Sequence, residues 1–256
     1  MRRTAPLALA ALGLALLLPA VAIAQDTKAD PLPEPRTELA PGRYLSSVVG
    51  PTLDFRVGDG WVAGPSGGPI FTLEYADAPG AVLSVTRFDG DTFLDSCDPS
   101  SLTVVDPSAE RLAEIIAGNP FVAAGPIEPI EVAGFEGRWF DVGVPTYDPS
   151  ECALPYLLLW AIPIGDGGEF VQVPNQQSRF VILDVDGDTI VVAIESFPGV
   201  PFGAFLEDSM ELVRSLRITP GEYIPPPTEN PSPAVSPAAP DASSPRPDDP
   251  PDGETA

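Results

Sequence analysis

The 256-residue sequence predicts an α+β fold: an antiparallel sheet with a central hairpin at about 179–195, packed by two or three helices and tied by one disulfide. Two apolar, β-branched runs flank Asp186-Gly187, which is the strongest short-range hairpin signal. Both faces of these runs are apolar, as is typical of strands that are covered on both sides. Many strand-like segments with few helical ones indicate the α+β class.

The two ends of the chain differ in composition from its middle. Residues 1–24 combine a basic start, an apolar stretch and a small-x-small site, which is the pattern of a cleavable signal peptide. An uncleaved anchor is the alternative, because the apolar run is just long enough to span a bilayer. Residues 25–40 are expected to form a flexible leader and residues 220–256 a disordered, acidic, proline-rich tail. Residues 41–219 then form a single globular domain, with no membrane span after signal cleavage.

The middle of the chain contains two amphipathic helical segments between strand-like runs. Asp106 as N-cap, Pro107 at the first helical position and Gly118 as C-cap delimit the first helix. Apolar residues at spacings near 3.6 predict a second helix over 202–216. Loops are expected at 64–69 and 88–101. Strands are expected at 43–49, 53–57, 70–75, 81–87, 127–132, 135–142, 157–164, 170–173 and 216–218.

The charge and cysteine content limits the class of partner. The chain has 37 acidic and 13 basic residues, no histidine and a net charge of -24. Such a chain repels nucleic acid, so its expected partners are an unknown protein or a neutral or cationic ligand, and it is expected to be a monomer. Its two cysteines, Cys97 and Cys152, each lie beside an Asp-Pro-Ser turn. In an exported protein they are expected to form one disulfide.

An acidic turn inside the central hairpin resembles a calcium-binding loop. Asp184, Asp186 and Asp188, with Glu195 at the twelfth place, follow the acidic spacing of an EF-hand. Thr189 stands where that loop requires glycine, and the following apolar run indicates a strand. A hairpin turn with clustered carboxylates is therefore favoured over an EF-hand. A weak surface calcium site formed by the three aspartates stays open.

The catalytic motifs in the sequence lack their structural context. Gly64-Pro-Ser66-Gly-Gly68 fits the G-x-S-x-G pattern, but that nucleophile needs a histidine base and a helix after it. We interpret the segment as a glycine-rich loop. No phosphate-cradling or dinucleotide motif is present. Paired carboxylates could serve a glycosidase, yet so many acidic residues single out no pair. Core packing is the expected role of the tryptophans, which are Trp61, Trp139 and Trp160.

The last third of the folded region resembles a known family. Its hairpin and helix ending Leu212-Val-Arg-Ser-Leu-Arg-Ile218, together with Gly60-Trp61 after an early strand, resemble the PsbP-like fold of secreted actinobacterial lipoproteins. The resemblance covers about half of the folded region. It implies an α+β binding or assembly module without known catalysis. It provides no functional residues to carry over, and the chain lacks the lipidated cysteine.

The sequence thus predicts a secreted, non-enzymatic binding or interaction domain of the cell envelope or extracellular space. Two alternatives stay open, a carboxylate-dependent extracellular hydrolase and a calcium-stabilised envelope protein. No catalytic or cofactor-binding residue is singled out, and calcium is the one cofactor considered.

Overall fold

The computed structural model describes residues 28–145, 152, 154–162 and 168–221. The predicted signal peptide and nearly all of the predicted tail lie outside these residues. No helix in the described part of the chain has the length and apolar character needed to cross a membrane.

The described residues form a strand-rich fold with two α-helices, arranged around one large antiparallel sheet. The strands of this central sheet are β4 (Trp61–Gly67), β5 (Ile70–Tyr75), β6 (Ala81–Phe88), β9 (Ala123–Ala124), β10 (Glu128–Val132), β11 (Phe135–Gly143), β14 (Gln177–Val185) and β15 (Asp188–Ser196). Seven of them lie in the order β10-β11-β14-β15-β6-β5-β4, and β9 pairs with β11.

Two small sheets and two helices complete the fold. Sheet A comprises β1 (Asp30–Pro31), β2 (Gly42–Ser46), β3 (Thr52–Val57) and β16 (Arg217–Thr219), in this order. Sheet C comprises β7 (Asp91–Phe93), β8 (Leu102–Val104), β12 (Leu157–Ile162) and β13 (Gly168–Gln172), and its order is β13-β12-β7-β8. The helices are α1 (Ala109–Ala117) and α2 (Gly203–Arg214), and a 3-10 turn spans Pro99–Ser101.

The predicted hairpin lies in the interior of the central sheet. Strands β14 and β15 pair over their full length, from Gln177↔Ser196 to Val185↔Asp188. The turn residues Asp186 and Gly187 have φ angles of 49° and 96°. Positive φ at both central residues is the requirement of the type I′ turn that Asp-Gly favours. The neighbours β11 and β6 cover the two outer edges of the hairpin, so the prediction of an internal hairpin is confirmed.

The two α-helices cover only part of the central hairpin, which the sequence predicts to be packed by helices. On one face, α2 and sheet A pack together against the hairpin residues Val181, Leu183 and Val192. On the other face, α1 and sheet C enclose Phe180 and Val191. The expected cover of two or three helices is therefore corrected: two α-helices share this role with two small sheets. Sequence periodicity could not reveal this, because short buried strands carry no signal of the layer they join.

The first helix begins later than the sequence predicts. Ser108, not Asp106, is the N-cap, and its side chain accepts a hydrogen bond from the Arg111 amide. Both residue types cap helices well, so the choice depends on tertiary contacts. Asp184 of β14 accepts a hydrogen bond from the Ala109 amide at 2.8 Å, which fixes the start of the helix on the hairpin. The predicted C-cap, Gly118, is confirmed.

Three segments expected to lack regular structure are ordered by pairing. Within the expected leader, β1 pairs in parallel with β2, and Leu39 is buried with its amide bonded to Trp61 O. Strand β4 continues to Gly67, into the expected 64–69 loop, with a register shift between Ala63 and Ser66. The expected 88–101 loop contains β7 and the 3-10 turn. In each case the backbone N–H and C=O groups of the segment form hydrogen bonds with a neighbouring strand. Amino-acid composition does not predict such pairing, because the partner strand lies elsewhere in the sequence.

The predicted disulfide joins Cys97 and Cys152, whose Cα atoms lie 4.8 Å apart. The two cysteines are nearly buried and pack with Val144 and Leu157 in a small satellite core. The bridge closes a loop of 55 residues. On the chain-entropy model such a loop contributes about 4 kcal/mol to stability. The prediction of one disulfide between these residues is confirmed.

Candidate functional site

A cleft of about 800 Å³ lies beside the C-terminal end of α2, where the chain leaves this helix to enter sheet A. Its walls come from β2 and β3, the turn Gly58-Asp59, the aromatic pair of β4 and β5, and the last turns of α2. Its volume falls in the range of small-molecule sites, roughly 300–1,000 Å³. We call this feature the α2 cleft.

One end of the α2 cleft is basic because the strand register of sheet A aligns arginines. Arg43 lies directly opposite Arg56 in the β2–β3 pair, and Arg217 lies opposite Asp54 in the β3–β16 pair. Alternate residues of a strand share a face, so the four charged residues lie on one face of sheet A. Like charges directly opposite each other in a sheet are destabilising. The pairing of β2 with β3 therefore brings Arg43 and Arg56 together at this end of the cleft, although their like charges repel each other.

Two arginines of the cleft have structural partners. The buried Arg43 donates to Asp54 Oδ1 at 2.7 Å and to the Ser215 carbonyl at 3.4 Å, next to the C-terminus of α2. Arg214 forms an exposed ion pair with Glu207 at 3.1 Å. Both positions suit the negative end of the helix dipole. These two guanidinium groups are therefore explained by the fold.

The guanidinium group of Arg56 has no such structural partner among the residues that the structure describes. Its backbone amide donates to Ser215 Oγ at 2.8 Å, which ties β3 to the end of α2. Its exposed guanidinium makes no hydrogen bond or ion pair with any residue that the structure describes. A rigid strand therefore carries this cation at the basic end of the cleft.

The other end of the α2 cleft is acidic. Tyr75 Oη donates to Asp208 Oδ2 at 2.8 Å, which connects the end of β5 to α2. This hydrogen bond, followed by partial burial and the negative charges of Asp208, Asp77 and Asp59, raises the pKa of the Tyr75 phenol. The Trp61 ring packs edge-on against Tyr75 at a centroid distance of 5.3 Å. Negative potential and an aromatic wall thus meet at this end.

A second polar cluster lies inside the domain, between the central sheet and sheet C. The Glu195 carboxylate is 5% exposed and accepts hydrogen bonds from Ser84 Oγ and Gln176 Nε2, each at 2.8 Å. Gln172 and Ser178 extend this network. Burial in this low-dielectric setting raises the pKa of Glu195 to about 7, although the two hydrogen bonds oppose the shift. The Glu195 carboxyl group can hold a proton near neutral pH, but the cluster is almost completely buried.

The structure directs the three aspartates of the predicted calcium turn toward different places. Asp184 binds the N-terminus of α1, and Asp188 forms an ion pair with Arg87 at 3.3 Å. Asp186 lies in the exposed hairpin turn. Glu195 is at the far end of β15, inside the core. Among the described residues, no three His, Cys, Asp or Glu side chains form a group that could hold a metal ion. The calcium site stays a prediction.

The other sequence motifs have structural positions. Ser66 lies in the exposed end of β4, not in a strand-to-helix turn. Trp61 and Trp160 are fully buried, as expected of core residues. Trp139 is partly buried, and the guanidinium of Arg179 lies 4.4 Å above its ring.

Sequence reasoning did not find the residues of the α2 cleft. Arg56, Tyr75 and Asp208 belong to three elements that are separated by long stretches of chain, and no local pattern links them. For Glu195 a signal existed: it is the one charged residue in the apolar run of β15 and shares a face with Val191 and Ala193. An acidic residue at an inward position of a core strand indicates a buried carboxyl group.

Comparisons with known proteins yield structural similarity at low sequence identity. No protein-family model matches this chain. No curated protein matches it significantly. A protein from Bacteroides thetaiotaomicron is similar in structure, with 8% identity, a TM-score of 0.35, and coverage of 64% of this chain and 44% of that one. The chain thus spans less than half the length of that protein.

Two further similar structures are a PsbP protein and a mycobacterial cell-envelope protein. The cyanobacterial PsbP of Synechocystis has 12% identity, a TM-score of 0.35, and coverage of 70% of this chain and 94% of that one. LpqN, which is involved in cell envelope biogenesis of Mycobacterium tuberculosis, has 16% identity, a TM-score of 0.32, and coverage of 66% and 84%. The PsbP-like resemblance is therefore found in structure as well as in sequence. Similarity at these TM-scores carries no inference about function.

Proposed function

We propose that this protein is a non-enzymatic binding domain of the cell envelope or extracellular space, and that it holds a small polar ligand in the α2 cleft. The observation that carries the proposal is the composition of the cleft. Four of the nine arginines among the described residues line it, in a chain whose net charge is -24. Scattered surface charge would not concentrate scarce cations around one concave site.

The chemistry of the cleft favours binding over hydrolysis. A glycosidase-type mechanism needs a carboxylic acid that stays protonated near neutral pH and faces a second carboxylate across the substrate. Among the described carboxyl groups, Glu195 has a pKa raised toward neutrality, and its hydrogen-bond partners are a serine and a glutamine inside the core. A buried position of this kind cannot contact a substrate in the cleft.

The proposed location depends on two features. The disulfide between Cys97 and Cys152 fits an oxidising compartment. The sequence of residues 1–24 predicts export.

A blocked cleft tests this proposal. Gly58 lines the α2 cleft, and a Cβ atom added there meets nothing within 4 Å, so Gly58→Trp should fill the cleft without disturbing the fold. Gly67 offers equal space on β4, away from the cleft lining, and Gly67→Trp is the matched control. Both variants should keep the melting temperature of the wild-type protein.

The ligand assay is an NMR titration of the ¹⁵N-labelled domain with a panel of amino acids, dipeptides, monosaccharides and phosphorylated small molecules. We expect compounds that bind to shift resonances of cleft residues in the wild-type protein and in Gly67→Trp, and to lose this effect in Gly58→Trp. Binding that is equal in both variants, or a panel without any binder at the cleft, would contradict the proposal.

A further inference from the structure

The α2 cleft carries charges of opposite sign at its two ends. The basic end lies around Ser215, where Arg43 and Arg56 each make a hydrogen bond to this residue. The acidic end lies around Tyr75, where the phenol donates to Asp208 and feels the charge of Asp59. Helix α2 contributes to both ends, since Asp208 and Ser215 are separated by about two helical turns.

We propose, building on the function proposed above, that the ligand of the α2 cleft is a zwitterion. Its anionic group, a carboxylate or a phosphate, binds Arg56, and its ammonium group binds Asp208.

Arg56 provides the donors for the anion. A guanidinium group presents five N–H donors in a planar fork that matches the oxygens of a carboxylate or phosphate. The Arg56 group is exposed, lines the cleft and has no partner among the described residues. Its neighbour across the sheet, Arg43, is already bound to Asp54 and adds positive potential without competing for the same position.

Asp208 provides the acceptor for the cation. Its Oδ2 atom accepts from Tyr75, and its Oδ1 atom has no hydrogen-bond partner among the described residues. A carboxylate offers about four lone-pair positions, so this side chain has acceptor capacity left. The Tyr75 hydrogen bond also fixes the carboxylate in one orientation, which lowers the entropic cost of binding.

The charge of the whole protein explains why one molecule should carry both groups. At a net charge of -24, the surface repels a simple anion before it reaches Arg56. A simple cation is attracted equally to many exposed carboxylates, so it gains little selectivity. A zwitterion has no net charge to repel, and only a site with both signs at a suitable spacing binds both of its ends.

Calorimetric titration of the wild-type domain tests the inference with five probes. Glycylglycine joins a carboxylate to an ammonium group, and glycerophosphoethanolamine joins a phosphodiester to an ammonium group, so both probes have no net charge at pH 7. Acetate, inorganic phosphate and ethylammonium carry the single charges. We expect one or both zwitterions to bind at least tenfold more tightly than any single-charge probe, because each charge-assisted contact adds roughly a factor of ten or more. The tighter zwitterion identifies a peptide-like or a headgroup-like ligand.

Two variants assign the ends of the ligand. Arg56→Gln and Asp208→Asn should each weaken binding of the zwitterion by roughly tenfold or more, and Arg56→Gln should leave the weak binding of ethylammonium unchanged. The exposed ion pair Arg111–Glu114 on α1 provides the controls Arg111→Gln and Glu114→Gln, which should bind as the wild-type protein does.

The outcomes separate this inference from the proposed function. If a neutral or singly charged compound binds in the cleft as tightly as the zwitterions, and Gly58→Trp abolishes that binding, the binding function stands and the zwitterion inference is wrong. Binding of a zwitterion that neither charge variant weakens also overturns the inference. If no compound binds in the cleft, both fail.

Discussion

Replacement of Glu195 by Gln should make the protein more stable above pH 7 and remove one component of its pH dependence. In the folded protein this carboxyl group is buried between Ser84 and Gln176, and its pKa is about 7 against an ordinary value of 4.5. Because the folded state holds this proton more tightly than the unfolded chain, stability is lost as the pH rises from about 4.5 through 7.

The magnitude follows from the size of the pKa shift. At about 1.36 kcal/mol per pKa unit, the ionised Glu195 costs the folded state roughly 3 kcal/mol at pH 8. The side-chain amide that Glu195→Gln introduces resembles the protonated acid. Its oxygen can accept from Gln176 Nε2 and its NH₂ can donate to the Ser84 hydroxyl, which rotates to accept. The variant therefore avoids the cost of the charge and keeps the hydrogen bonds.

Urea denaturation between pH 4 and pH 8.5 measures this difference. We expect nearly equal unfolding free energies of the variant and the wild-type protein at pH 4, and an advantage of the variant that grows to roughly 3 kcal/mol at pH 8.5. Glu74→Gln, which removes an exposed carboxylate of β5, is the control and should follow the wild-type curve. Parallel curves for wild type and Glu195→Gln would refute the assignment of a buried, proton-holding carboxyl group.

Two further predictions concern the central sheet. A Cβ atom at Gly137 of β11 would collide with the carbonyl oxygen of Ile182. Gly137→Ala should therefore lower the unfolding free energy, measured by urea denaturation, by about 1–3 kcal/mol. Gly143→Ala on the same strand, where the space is open, is the control and should leave the unfolding free energy nearly unchanged. If the hairpin turn binds calcium, the melting temperature of the wild-type protein should rise in millimolar calcium and fall with chelator. The melting temperature of Asp186→Asn should not respond to calcium. A melting temperature of the wild-type protein that calcium does not change contradicts the calcium hypothesis.

The local features of this fold were predictable because they depend on short-range chemistry. Asp186-Gly187 specifies a two-residue hairpin, since few residue pairs adopt positive φ at both positions. The Gly118 C-cap follows from residue type, and the Cys97–Cys152 bridge joins the two cysteines that the chain contains. Where two good capping residues compete, as Asp106 and Ser108 do, the sequence leaves the choice open and a contact from another element decides it.

The candidate site was not predictable because it depends on the register and packing of distant segments. Arg43 and Arg56 are each an ordinary polar residue on a short strand, and they face each other only through the pairing of β2 with β3. The α2 cleft exists only because α2 ends beside that face and places Ser215 and Asp208 there.

The sequence by itself determined the α+β class, the internal hairpin, the disulfide and the net charge of -24. Each of these follows from local conformational preference, side-chain periodicity or total charge. Tertiary structure alone decided which small sheets cover the hairpin, that Glu195 is buried in the core with Ser84 and Gln176 as hydrogen-bond partners, and that scarce arginines meet carboxylates around one cleft. These features depend on contacts between residues far apart in the chain, and no local pattern in the sequence encodes which distant residues will meet.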